Sequence, residues 1–332
     1  MHMADALLSP AVGGVLYAAS AGAVACAVHK IKKEELGQRS LPLMAVAGAF
    51  VFAAQMVNFT IPGTGSSGHI GGGILLAGLL GGFPALLTIT AVLAIQCLFF
   101  ADGGLLALGA NIFNMGVIPC LIVYPLLFRP LLRKKRTVGR ISLAAILSSV
   151  AGLQLGAFAV VLETLVSGVT ELPFGTFVLL MQPIHLAIGA VEGVITATVF
   201  AYVHRSRPEL MDSTLDRAAS AASLKKTVMT FAVLAVLVGG GLSLFASVHP
   251  DGLEWAMTRT AGTVELSRTD AVHEMAAEVQ TRIALLPNYD FASGEGRGTS
   301  AAGLIGAGLT CALAGGAGAA VALIKHRKKK TD

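Results

Sequence analysis

The stretch IGGGILLAGLLGGFPALLTITAVLAIQCLFF, residues 70–100, contains no charged side chain and decides how this chain is folded. It is too long for one membrane span, which needs about 20 apolar residues, and short for two. Gly81-Gly82-Phe83-Pro84 interrupts it. Whether the stretch crosses a membrane once or twice therefore fixes the side on which every later segment lies.

The remainder of the chain has the composition of an integral membrane protein. Of its 332 residues 55% are hydrophobic and 13% charged, whereas roughly a quarter of the residues in a soluble domain are charged. We predict an all-α fold. Further spans are predicted at 8–28, 41–58, 105–128, 141–165, 177–203, 227–248 and 301–324.

The distribution of basic residues predicts the topology, because short cytoplasmic loops collect Lys and Arg. Four clusters hold 20 of the 24 basic residues, at 30–39, 129–140, 205–226 and 325–330. They share one side only if residues 70–100 cross twice, as a hairpin that turns at Gly81-Gly82-Phe83-Pro84. This predicts nine spans, with the N-terminus extracytoplasmic and the C-terminus cytoplasmic. The other four Arg residues lie in 249–300, and long loops translocate regardless of charge.

A cleavable signal peptide is the alternative for residues 1–28, since Ala23-Val24-Ala25 resembles a cleavage site. The positively charged region that should open such a peptide is missing, because the first basic residue is Lys30. We therefore expect residues 1–28 to be retained, with the first span at 8–28.

Met1-His2 can form a metal chelate. The amine of Met1, the amide nitrogen of His2 and its imidazole can close fused small rings around one ion, and such a set suits nickel(II) or copper(II), which favour tetragonal nitrogen fields. The predicted topology places Met1-His2 on the same face as the glycine-rich loop 59–71, which contains His69. The ring of His69 would supply a fourth nitrogen.

Three other chemistries are not supported by the sequence. Gly63 to Gly68 has the glycine spacing of a phosphate loop, but His69 and Ile70 replace the required Lys and Ser or Thr, and no Walker motif occurs elsewhere. Gly65-Ser66-Ser67-Gly68 resembles the motif of rhomboid-type intramembrane proteases, with Ser67 as nucleophile and His185 as base. Ser67, however, lies in a polar loop before a span. The four cysteines lack CxxC spacing, so neither a disulfide framework nor a zinc site is indicated.

Several stretches together resemble the nickel/cobalt substrate-specific subunit (NikM/CbiM type) of energy-coupling factor (ECF) transporters. They are Met1-His2-Met3-Ala4-Asp5, Ser67-Gly68-His69, QCLFFADGGLLALGANIFNM at 96–115 and QPIHLAIGAVEG at 182–193. The resemblance covers residues 1–205 and implies seven spans in this metal-specificity domain. It also implies that the metal ligands are the amine of Met1, the amide and imidazole of His2, and the ring of His69.

Polar residues within the predicted spans allow two interpretations. Gln96, Asp102, Asn111 and Asn114 flank the outer end of the hairpin, and His185 and Glu192 share one helix face, seven residues apart. In the first interpretation Asn and Gln bond the backbone of neighbouring helices and Asp102 caps the next helix. In the second, these side chains hold His2 or His69 in place for the metal. The candidates for the second role are Gln96, Asp102, Asn111, His185 and Glu192.

The C-terminal third resembles the PDGLE module, the small two-span N-type component that accompanies these subunits. After a polar linker at 206–226, residues 227–332 contain two predicted spans around segment 249–300, which begins Pro250-Asp251-Gly252-Leu253-Glu254. The single tryptophan, Trp255, is either an anchor in the membrane interface or a packing contact with the first domain.

The resemblance implies the substrate-binding component of an importer in a prokaryotic cell membrane. Its expected cargo is Ni²⁺, with Co²⁺ uptake for cobalamin synthesis as the alternative, and no permanently bound cofactor is expected. The chain itself is expected not to be an enzyme. A transmembrane coupling (T/Q-type) subunit and a cytoplasmic ATPase (A/O-type) dimer would supply the energy, and no nucleic-acid partner is expected. An intramembrane serine protease and a passive metal channel are the alternatives from other functional classes.

Overall fold

The helical, multi-pass membrane fold predicted from the sequence is confirmed. The computed structural model describes residues 1–34, 40–133, 136–170, 172–206, 221–263, 266, 270–291 and 298–328. Of the predicted linker 206–226, residues 207–220 lie outside the described residues. Six helices of the described part are long and apolar enough to cross a membrane.

The first domain is a bundle of helices with one small hairpin of strands. Its elements are α1 (Pro10–Glu34), α2 (Ser40–Gln55), β1 (Phe59–Ile61), β2 (Ser66–Gly68), α3 (Gly73–Leu80), α4 (Gly82–Phe100), α5 (Leu108–Ile112), a π-helical stretch (Phe113–Phe128), α6 (Arg129–Leu132), α7 (Val138–Ser167) and α8 (Phe174–Ser206). A short 3-10 turn, Asp5–Leu7, precedes α1.

The PDGLE-like module follows, with four helices among its described residues. They are α9 (Ala221–Gly240), α10 (Gly252–Ala261), α11 (Ala271–Ile283) and α12 (Thr299–Lys328), with 3-10 turns at Leu242–Phe245 and Pro287–Tyr289. The span predicted at 227–248 therefore ends early, because three successive glycines, Gly239 to Gly241, close the helix. The backbone N–H of Ser247 then donates to the carbonyl of Asn58, 2.8 Å away, in the first domain.

Residues 70–100 form a hairpin that breaks at the predicted turn. Helix α3 ends at Leu80 and α4 begins at Gly82, and Gly81 between them has a φ of +85°. Both ends of the hairpin reach the N-terminal segment, since His69 lies beside Met1 and Asp102 beside His2. With eight residues α3 is only about 12 Å long, so it does not span a bilayer as a helix. The count of nine full spans stays a prediction.

The helical run from Leu108 to Leu132 is unusual in being π-helical over Phe113–Phe128. Pro119 and Pro125 lie inside this stretch and have no N–H to donate to the helix. Glycine lets α3 approach it closely, because a Cβ placed on Gly73 would lie 2.5 Å from Cγ of Pro119.

The PDGLE-like module packs against α2 through α9 and α12. Small residues allow these helices to approach one another, as is common in membranes. A Cβ placed on Gly239 of α9 would lie 3.0 Å from the carbonyl oxygen of Gly303 of α12. The segment between these two helices covers the face of the bundle that carries Met1, which we call the N-terminal face.

Contacts to the β1–β2 hairpin anchor this segment. The N–H of Ser67 donates to the carbonyl of Pro250 (2.8 Å), and its hydroxyl donates to that of His249 (2.7 Å). The indole N–H of Trp255 donates to the carbonyl of Thr64 at 2.9 Å. Trp255 therefore contacts the first domain, which is the second of its two interpretations.

Candidate metal site

The N-terminal segment is held inside the bundle by Asn111. Oδ1 of Asn111 accepts the N–H of Met3 at 2.8 Å, and Nδ2 donates to the Met3 carbonyl at 3.2 Å. The Met3 carbonyl also accepts the N–H of Gly104 at 2.9 Å. Met1 and Met3 are buried. Asn111, a predicted candidate, thus fixes the backbone next to His2.

A buried carboxylate positions the loop that carries His69. The N–H groups of Gly71 and Gly72 donate to the two oxygens of Glu192, at 2.7 and 3.1 Å. Nε2 of Gln55 donates to the carbonyl of Gly71 at 2.8 Å. These bonds give partners to buried backbone groups that no helix or strand satisfies. Glu192 therefore acts on His69 through the backbone.

The N-terminal amine and the ring of His69 meet. The amine nitrogen of Met1 lies 3.2 Å from Nε2 of His69. Nδ1 of His69 is 3.0 Å from the carbonyl of Ile70, and because a carbonyl only accepts, Nδ1 holds the proton and the lone pair of Nε2 faces the amine. Burial, then the adjacent ammonium, lower the pKa of His69 to about 3. The ring is neutral, as a metal ligand must be.

This spacing suits one metal ion. Metal–nitrogen bonds of about 2.0 Å at a right angle place two nitrogens about 2.8 Å apart. The observed 3.2 Å between Met1 and His69 therefore needs only a small approach.

The ring of His2 stacks on that of His69, with centroids 5.2 Å apart and planes inclined by 21°. Its Nε2 lies 3.1 Å from Oε1 of Gln96, and its Nδ1 lies 3.3 Å from Oδ1 of Asp102. Burial lowers the pKa of His2 despite the nearby Asp102 carboxylate. In the chelate predicted from Met1-His2 the ring ligand is Nδ1, so this ring would have to turn away from Asp102 to bind a metal ion there.

The interpretation of Asp102 as a helix cap is wrong. Helix α5 has no side-chain cap, and it is Oδ1 of Asp5 that accepts the N–H of Ala107, at 2.8 Å. Ala101 adopts a left-handed conformation, with φ +52°, and the chain after it directs Asp102 toward His2. Oδ2 of Asp102 also accepts the hydroxyl of Tyr289, from the PDGLE-like module.

Sequence reasoning missed the contact of Asp251 with the N-terminal amine. Oδ2 of Asp251 lies 2.5 Å from the nitrogen of Met1, while Oδ1 accepts the N–H groups of Leu253 and Glu254 at the start of α10. Burial alone would raise the pKa of Asp251, but the N-terminal ammonium outweighs it and holds that pKa well below its usual range. The Asp251-to-Glu254 spacing of a capping box indicates a helix start from sequence; the contact with Met1, 250 positions away, leaves no such signal.

His185, the remaining candidate, reaches the same region from α8. Its Nδ1 lies 2.8 Å from the carbonyl of Met181, one turn earlier. It lines a small cavity together with Met1, His69 and Asp251. It therefore neighbours the site, although its hydrogen bond goes to its own helix.

Side chains alone do not make a metal centre in the described part of the chain. No three His, Cys, Asp or Glu residues there are grouped so that they could hold an ion. A metal at Met1, His2 and His69 must therefore use the amine and an amide nitrogen besides the two rings, which is the donor set predicted from Met1-His2.

The geometry at Ser67 argues against a protease. Its hydroxyl donates to the carbonyl of His249 rather than to a histidine ring, and His185 directs Nδ1 at Met181. A serine nucleophile needs a base within hydrogen-bond reach.

Comparisons with known proteins agree with the metal chemistry. Residues 2–210 match the family described as CbiM, cobalt uptake substrate-specific transmembrane region, and residues 225–323 match the PDGLE domain. A putative metal transport protein of Haloquadratum walsbyi is 40% identical over 211 residues, which cover 64% of this chain and 93% of that protein. The putative fused nickel transport protein NikMN of Archaeoglobus fulgidus is 36% identical over 214 residues, which cover 64% of this chain and 68% of that protein. A crystal structure of a transition metal transporter matches with a TM-score of 0.56 and 30% identity, over 66% of this chain and 100% of that one.

Proposed function

We propose, because this chain belongs to the CbiM family, that it is the metal-uptake component which captures a free Ni²⁺ ion outside the cell and passes it inward. The observation that carries the proposal is the meeting of the Met1 amine with the unprotonated Nε2 of His69, 3.2 Å apart. His2 adds its amide and ring nitrogens once its ring turns. The ion would then have four nitrogen ligands.

The donor set favours nickel(II) over cobalt(II). Nickel(II) accepts a tetragonal nitrogen field, and nitrogen sites generally bind it more tightly than cobalt(II). The similarity to a fused nickel transport protein supports the same choice. Cobalt(II) uptake by the same architecture is the second candidate, because the matching family is described by cobalt uptake.

Transport against a gradient needs energy from partners. No Walker motif occurs in the sequence. We assign ATP hydrolysis to a cytoplasmic ATPase dimer, linked to this chain by a transmembrane coupling subunit. A passive channel would need neither partner.

Adding two residues before Met1 tests the site. The extension keeps every side chain but moves the amine out of chelating distance of the His2 amide, whereas a single added residue would make His2 the third residue and create a new planar chelate of amine, two amides and imidazole. We expect calorimetric titration to show Ni²⁺ binding to the native full-length protein and a loss of about 100-fold or more in the extended one. Two residues added after Asp332 are the matched control. Equal Ni²⁺ affinity in all three proteins would refute the chelate, and tighter Co²⁺ than Ni²⁺ binding would favour the second candidate.

Uptake assays test the transport assignment. Cells that make this chain with the coupling subunit and ATPases should accumulate ⁶³Ni, and an inactive ATPase should abolish accumulation. Uptake that persists without ATP hydrolysis would instead identify a passive channel.

A further inference from the structure

A small cavity adjoins the N-terminal amine. Met1, His69, His185, Asp251 and Gly252 contribute to its wall. It has room for about one water molecule or one ion. Gly252 closes it tightly, since a Cβ at that position would lie 3.1 Å from Cε1 of His185.

His185 presents a free lone pair within this wall. The residue is 1% exposed. Because Nδ1 must donate to the Met181 carbonyl, Nε2 is unprotonated, and it has no hydrogen-bond partner in the described part of the chain. A buried polar atom without a partner is costly and needs an explanation.

The same arrangement occurs at His69. There too Nδ1 donates to a backbone carbonyl, and Nε2 lies beside the Met1 amine. Metal-binding histidines usually donate their second nitrogen in this way, which fixes the tautomer and orients the ring. His185 thus has the fixed tautomer and the oriented ring of a metal ligand, although it is not one of the residues in the four-nitrogen set.

A second cavity continues from the first, deeper into the helices. It shares Met1, Gly71, Met115 and Leu153 with the first and reaches Glu192. Glu192 follows His185 on α8 by seven residues, or about 10 Å of helix. Oδ1 of Asn114 and Oγ of Ser149, from residues that line this second cavity, also have no partner in the described part. Unpartnered polar atoms therefore extend from the amine into the domain.

We propose that His185 is a further ligand of the transported ion, which receives the ion when it leaves the Met1–His2–His69 nitrogens for the interior. The exchange forms one metal–nitrogen bond at Nε2 of His185 and breaks one to an outer nitrogen. It requires no proton release at His185, because Nε2 is already unprotonated. This inference rests on the proposed function, and it adds a second binding site for the ion.

Substitution by a softer ligand tests contact with the ion. In purified full-length His185→Cys protein, Cd²⁺ should produce a thiolate-to-metal charge-transfer band above the native background, because soft cations select thiolates. Thr196→Cys is the matched control, since Thr196 is also fully buried on α8 and lines neither cavity. No additional band in His185→Cys protein that still binds Cd²⁺ would overturn the inference.

Transport provides a second readout. His185→Ala should keep equilibrium Ni²⁺ affinity within about threefold, because the outer nitrogens remain, yet lower the initial ATP-driven uptake rate by about tenfold or more. His185→Cys should raise Cd²⁺ uptake relative to Ni²⁺ uptake by about tenfold, and Thr196→Cys should leave that ratio unchanged. An uptake rate in His185→Ala equal to the native rate would overturn the inference. This outcome is decisive even if the His185→Cys variant does not fold. Absence of Ni²⁺ binding by the native protein would instead refute the proposed function itself.

Discussion

At the scale of single residues, Glu192 is a helical carboxylate that positions the loop carrying His69 through the backbone. Its oxygens satisfy Gly71 and Gly72, where the chain is not helical. Gly72 has a φ of +77°, and a Cβ there would lie 2.5 Å from Cγ1 of Val51. The backbone that follows His69 is therefore held by the carboxylate of Glu192, and its conformation requires glycine at position 72.

Replacement of Glu192 by alanine should displace His69. It leaves two buried N–H groups without an acceptor, each at a cost of about 1–3 kcal/mol. We expect both the thermal stability and the Ni²⁺ affinity of the protein to fall. Glu278→Ala is the control, since Glu278 is exposed on α11 with its partner Arg282. Unchanged Ni²⁺ affinity in Glu192→Ala would show that His69 does not depend on this carboxylate.

Substitution of Asp251 tests whether this residue only contacts the Met1 amine or is itself a metal ligand. If the four nitrogens complete the coordination, Asp251→Asn should retain Ni²⁺ binding within a few-fold, whereas His2→Ala should lose it and His69→Ala should weaken it by about 10- to 100-fold. Titration calorimetry on the full-length variants measures this directly. Loss of binding in Asp251→Asn, comparable with that in His2→Ala, would make Asp251 a primary ligand.

At the scale of elements, α11 holds the N-terminal turn through His273. Nε2 of His273 lies 3.1 and 3.0 Å from the carbonyls of Asp5 and Leu8, and Nδ1 lies 2.6 Å from Oδ2 of Asp270. All three partners are acceptors, so only the protonated ring can donate to both sides at once. Burial lowers the pKa of His273, but the hydrogen bonds to Asp270, Leu8 and Asp5 outweigh it and raise that pKa above 6.5.

The hold of His273 should weaken as the pH rises. The pKa of His273 in the folded protein exceeds the unfolded value of 6.5. The protonated ring therefore stabilises the fold fully at pH below 6.5, and this stabilisation is lost as the pH rises through the folded pKa. We expect amide exchange at Leu7 and Leu8 to increase more steeply over this range than its ordinary base catalysis predicts. Asp270→Asn should remove the excess. If native and Asp270→Asn proteins showed the same excess of amide exchange, a group other than His273 would be responsible for it.

The hairpin of α3 and α4 marks the limit of what the sequence could predict about the elements. Glycine and proline indicated the break near Gly81, because they interrupt an otherwise apolar run. The short α3 could not be predicted, since the non-helical residues before it depend on Glu192, 120 positions later on α8. Local pattern contains no information on such a distant hydrogen bond.

At the scale of the whole molecule, the same distinction separates the candidate ligands from their surroundings. Met1, His2 and His69 were predicted as ligands because the chemistry of the N-terminus and the topology converge on them, and the structure brings these three residues together. The cover formed by the PDGLE-like module could not: Asp251, Trp255 and Tyr289 make contacts that span 187 to 250 positions. The polar linker and the PDGLE resemblance predicted a second module, but they did not predict which of its residues contact the first domain.

The orientation of the whole chain remains to be tested, and cysteine labelling can test it. Basic clusters place residue 137 on the cytoplasmic side and residue 263 outside, and both positions are exposed in the structure. In a background without the four native cysteines, an impermeant thiol reagent applied to intact cells should therefore label Thr263→Cys and spare Thr137→Cys. Membrane disruption should then allow both to react, which controls for reactivity. The reverse pattern would place Asp251 in the cytoplasm, and with it Met1 and His69, which the structure holds beside it; the site would then be one of release. Labelling of both in intact cells would mean that the chain crosses the membrane an even number of times between residues 137 and 263, instead of the three predicted.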